Sequence, residues 1–86
     1  MREALQLDPS DEIARRKFVW FIIDSVDYSA HELPRGYYLG EPRRDLALLR
    51  EAEEAALRLQ SVDRRRSAIS ELRGLRQQIE RWLGGR

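Results

Sequence analysis

The chain holds a single histidine, His31, which stands four residues after Asp27 and directly before Glu32, with Ser25 and Ser29 close by. An imidazole oriented by a carboxylate is the pairing that works as a general base, and a nearby hydroxyl would be the group it activates. The pattern stops there, because nothing supplies a clear nucleophile or an oxyanion site. The absence of cysteine removes thiolate chemistry and disulfides. One histidine among scattered carboxylates also lacks any recognisable metal-ligand spacing. No catalytic residue, metal or cofactor is expected. His31 reads first as a loop residue, and a small enzyme or metal protein centred on it stays as an alternative.

The same stretch of chain is rich in tyrosine. Tyr28, Tyr37 and Tyr38 surround His31 and Arg35, and a tyrosine combines a large apolar ring with a polar tip, as partner-binding surfaces do. The competing reading has these rings folding back to cover the end of a helical core. Trp82, on the last amphipathic segment, joins them as a candidate. The proposed partner-binding set is therefore Tyr28, His31, Arg35, Tyr37, Tyr38 and Trp82.

Cations come in three clusters, Arg15-Arg16-Lys17, Arg43-Arg44 and Arg64-Arg65-Arg66. Phosphate recognition needs several such charges on one face. Each cluster has acids nearby in sequence, and successive helical residues point in different directions. The 16 basic and 15 acidic residues leave a formal charge of +1, too little field to draw in a polyanion. Solvated faces and a turn are the expectation, and a nucleic-acid-associated protein is the other alternative.

These residues need elements to hold them, and the breakers divide the chain. Arg2 to Leu7 reads as the last turns of a helix. Asp8 can cap the next helix, with Pro9 in its first position and Asp11 and Glu12 at its positive end. An opening with so little lead-in implies either a short helix or a domain cut from a longer chain. Helix one is expected from about Pro9 to Tyr28, with Ala14, Phe18, Phe21, Ile22 and Ser25 on one side and Val19, Ile23 and Val26 widening it. The run Phe18 to Ile23 could also make a buried strand, but the helix-forming residues before it favour a helix. Ser29 to Pro42 contains Pro34, Gly36, Gly40 and Pro42, so it reads as a long loop.

From Pro42 to about Ser61 a second helix carries Leu48, Ala52, Ala55, Leu59 and Val62 in steps of four and three. Ala68, Leu72, Leu75, Ile79 and Trp82 repeat those steps out of phase with the first set. A break is therefore expected at Asp63 to Arg66, giving a third helix from about Asp63 to Leu83; one continuous helix is the alternative. The two seams are expected to share an intramolecular core, although one of them can also join two chains.

Ala4-Leu5-Gln6-Leu7-Asp8-Pro9, followed at the expected separation by Asp27-Tyr28, resembles the junction between two tetratricopeptide repeats. Arg15 stands where that family usually has Trp, Phe18 where it has Leu and Val19 where it has Gly, and no second copy appears at a period of about 34 residues. The resemblance implies a terminal or degenerate repeat with an added helix.

At 86 residues the chain is one domain at most. Its longest apolar run, Phe18 to Ile23, is far below the ~20 residues of a membrane span. A cytoplasmic protein is the default. The expected fold is all-α: a three-helix bundle, or degenerate tetratricopeptide-like hairpin with an added C-terminal helix, and a long loop after the first helix. The expected function is a non-catalytic interaction or assembly module whose partner is another protein or a second copy of itself.

Overall fold

The computed structural model describes residues 12–85. It is an all-α bundle of three mutually packed helices, α1 (Glu12–Ala30), α2 (Pro42–Ala56) and α3 (Val62–Gly84), with no strand among the described residues. The expected turn at Arg2 to Leu7 and the start at Asp8 and Pro9 lie outside those residues. The Phe18 to Ile23 run is helical, in the middle of α1.

α1 buries Phe18, Val19, Ile22, Ile23, Val26 and Ala30. Phe21 and Ser25, expected on the core side, instead point outward, and Phe21 is 59% exposed. The helix is apolar around most of its circumference, so periodicity alone could not choose which side faces inward. α2 and α3 settle it by packing on the Val19 and Val26 side.

α2 turns Leu49, Ala52, Ala55 and Ala56 into the core. Leu48 is only partly buried, so the contact stripe is rotated slightly from the expected seam. The alanines let neighbouring helices approach closely, as their side chains project least. The α3 seam of Ala68, Leu72, Leu75 and Ile79 is buried as expected, with Trp82 half-buried at its end. Both seams therefore serve one core.

The loop between α1 and α2 is tightly built. Leu33–Arg35 form a 3-10 turn closed by Gly36, whose φ of 96° is a left-handed conformation suited to glycine. Pro42 then occupies the first turn of α2, where its missing N–H costs no helical bond.

The second break falls earlier than expected. α2 ends at Ala56, and Val62, expected to belong to the first seam, begins α3 and is half exposed. The Ser61 side chain accepts the Arg64 N–H and so caps α3. No glycine or proline marks this turn; side chains from elsewhere satisfy its backbone. The Glu12 carboxylate accepts the Gln60 N–H, both oxygens at 3.2 Å. Arg15 donates to the Arg58 carbonyl at 3.3 Å and Arg65 to the Leu59 carbonyl at 3.1 Å. Leu59 itself is 1% exposed and pins the turn into the core. These contacts place the start of α1 at the α2–α3 turn, so the chain runs up, down and up.

Across α2 and α3, Glu53 receives Arg73 and Arg76, each at 3.2 Å. These are partly exposed pairs, each contributing at most about 1 kcal/mol.

Candidate functional site

At the end of the bundle away from the α2–α3 turn, one tyrosine ties all three helices together. The Tyr38 hydroxyl donates to Asp45 Oδ2 at 2.5 Å, and its ring lies 5.9 Å from the Trp82 ring, tilted by 34°. Tyr38 thus links the first turn of α2 to the last turns of α3. Its neighbour Leu39 donates its N–H to the Ser29 carbonyl on α1 at 3.0 Å.

Asp45 is 4% exposed, with Arg44 Nε at 3.9 Å. It was not among the expected site residues; a carboxylate near the start of a helix reads as a dipole-compensating surface residue. The returning loop, with Tyr38 and Gly40, lies over it. Gly40 is part of that cover: a Cβ there would lie 2.7 Å from Ser29 Oγ and 3.1 Å from Asp45 Oδ2. Glycine is needed here for space.

Burial raises the Tyr38 pKa well above its ordinary value of 10.0, and the hydrogen bond to Asp45 and that residue's charge raise it further, while the Ser29 hydroxyl and Arg44 pull the other way. In sign, the folded chain keeps a proton that the unfolded chain releases above pH 10. The stabilisation is complete below that pH and is lost as pH rises toward the folded-state value. Denaturant titrations above pH 10 should show stability falling with a slope approaching one proton per molecule, and Tyr38→Phe should remove that component.

The six candidate residues divide. Tyr38 and Trp82 meet as half-buried structural partners, so the fold-back reading describes this part of the loop. Tyr28 and Tyr37 remain outside, 72% and 48% exposed. His31 and Arg35 side chains are also exposed, 3.8 Å and 3.4 Å from Glu32. The geometry gives the exposed His31 one carboxylate neighbour, Glu32, whose side chain is mostly buried. No group of three or more His, Cys, Asp or Glu that could hold a metal occurs among the described residues.

The basic clusters do not converge on one face. Arg15 is 6% exposed and satisfies the α2–α3 turn, a correction to the solvated role expected of it. The Arg64 to Arg66 cluster begins α3 at the same end, whereas Arg43 and Arg44 begin α2 at the Tyr38 end. A groove of about 660 Å³ lined by Leu57, Arg65, Arg66, Ile69, Arg73 and Gly74 adds little cationic capacity, because Arg65 and Arg73 are already engaged.

What sequence reasoning missed is the outer side of α1. Ile13 at 57%, Phe21 at 59% and Tyr28 at 72% exposure share it with half-buried Trp20 and with exposed Lys17 and Asp24. The signal was present: a helix with large apolar residues on opposite sides has more such surface than one core can cover. No described helix is long and apolar enough to cross a membrane. No family model, curated protein or solved structure matches the chain.

Proposed function

We propose that the protein is a non-catalytic interaction or assembly module that binds a protein partner through the outward face of α1, with Tyr37 and Leu39 of the following loop as further exposed apolar contacts. The observation that carries this reading is the exposure of Ile13, Phe21 and Tyr28 along one side of a helix whose opposite side already fills the core. Aromatic side chains held on a rigid helix lose little entropy on binding and are the kind of residue that dominates interface energetics. The α3 seam is consumed within the bundle, so α1 replaces it as the binding helix. The tetratricopeptide-like residues at Ala4 to Tyr28 are compatible with an assembly role, and we keep that relationship as part of the proposal.

A photoreactive phenylalanine analogue in place of Phe21, irradiated in cells, should yield one defined protein cross-link, while the same analogue in place of exposed Arg43 should not. Absence of any product from position 21 would reject this binding face.

A further inference from the structure

The exposed side of α1 reads the same in both directions. Its large and charged residues are Ile13, Lys17, half-buried Trp20, Phe21, Asp24 and Tyr28, with spacings of four, three, one, three and four. An isologous twofold interface pairs the same patch with itself turned around, so residues equidistant from the axis meet one another. The midpoint falls between Trp20 and Phe21.

We propose that this face binds a second copy of the same chain, with the two α1 helices antiparallel about a twofold axis between Trp20 and Phe21. The inference rests on the binding reading above and names its partner. In this register Trp20 meets Phe21 of the second copy, Ile13 meets its Tyr28, and Lys17 meets its Asp24, each contact occurring twice. Charge complementarity singles out the antiparallel arrangement. Lys17 and Asp24 are both exposed and have no ion-pair partner among the described residues. The face therefore carries its cation in the first half and its anion in the second. Parallel pairing would set like charges against each other, which is destabilising.

The distance from Ile13 to Tyr28 along α1 is about 22 Å, given ~1.5 Å per residue. A single helix face of that length is smaller than the roughly 800 Å² per partner of a typical stable interface, so a reversible dimer is expected, with Kd on the order of 10 μM.

Sedimentation equilibrium on the full 86-residue chain, from about 1 to about 500 μM so as to bracket that Kd, tests the proposal. The wild type should shift from monomer to dimer across the series. Lys17→Asp and Asp24→Lys should each weaken association about tenfold or more, and the double variant, which restores opposite charges in the swapped sense, should recover to within about threefold. Both residues are on the surface, and circular dichroism checks that the fold is retained. Because the chain has no cysteine, Ile13→Cys and Tyr28→Cys provide an independent register test. Mixing the two variants under mild oxidation should give a crossed disulfide dimer, with little product from either alone.

A wild type that stays monomeric throughout overturns the proposal, as does a double variant no better than the single ones or a preference for the disulfide dimer formed by the Ile13→Cys variant with itself. If the chain is monomeric but position 21 cross-links to a different protein, self-association fails while the binding reading stands. If neither occurs, both fail.

Discussion

Asp45→Ala should lower the stability of the bundle by about 2–3 kcal/mol, because it removes the buried acceptor that holds Tyr38 across α2 and α3. The carboxylate is 4% exposed and accepts the Tyr38 hydroxyl. Truncation leaves the half-buried hydroxyl only the Ser29 side chain as a partner and opens space where the carboxylate was, and losing the partner of a buried polar group costs more than the net value of its hydrogen bond. The first turn of α2 also loses its acidic residue, worth up to about 1 kcal/mol against the helix dipole. For a domain of this size the combined loss corresponds to a fall in Tm of about 10–20 °C. Asp45→Asn, which keeps an acceptor oxygen in nearly the same place, should cost less than half as much. Thermal unfolding of the two variants side by side is the check, and equal losses would show that the Tyr38 contact does not matter. The effect should also be visible in Trp82 fluorescence, read in a Trp20→Phe background, since the ring tilted against it is no longer anchored.

Arg15→Ala should be comparably destabilising, by about 2–4 kcal/mol, through a different route. Arg15 is 6% exposed and lies with Glu12 over the α2–α3 turn, its Nη1 3.3 Å from the Arg58 carbonyl and 3.9 Å from Glu12 Oε2. Removing it opens a cavity, uncovers a turn carbonyl and loosens the carboxylate that accepts the Gln60 N–H. Arg15→Met separates these contributions. It fills most of the same volume and also spares the cost of burying a charge, so about half of the stability should return. Denaturant midpoints for both variants measure the split. Hydrogen exchange should show the Gln60 amide losing protection in each, because its acceptor is no longer held in place.

These two residues mark where sequence reasoning ran out. Arg15 stands in the run Arg15-Arg16-Lys17, and composition treats such a run as solvated. Only the arrival of the α2–α3 turn beside it makes the guanidinium interior. Asp45 looks like an ordinary helix-start acid until the loop carries Tyr38 and Gly40 over it. The outer face of α1 was legible in principle. Its symmetric spacing is written in the sequence, but which side of an all-round apolar helix remains outside is set by its neighbours. His31, conspicuous as the one imidazole, ends on the surface beside the mostly buried side chain of Glu32.

What the sequence by itself determined is the helical class, the position of the first loop and the α3 seam. Pro34, Gly36, Gly40 and Pro42 forbid a continuous helix whatever surrounds them, and Ala68, Leu72, Leu75 and Ile79 carry a periodicity strong enough to act locally. Tertiary structure decided the rotation of α1, the end of α2 at Ala56 and the burial of Arg15 and Asp45. The physical reason is the same in each case. The local signal was absent or balanced, and the outcome depended on hydrogen bonds and burial supplied by segments distant in the chain, as when Glu12 and Arg15 satisfy a turn more than forty residues away.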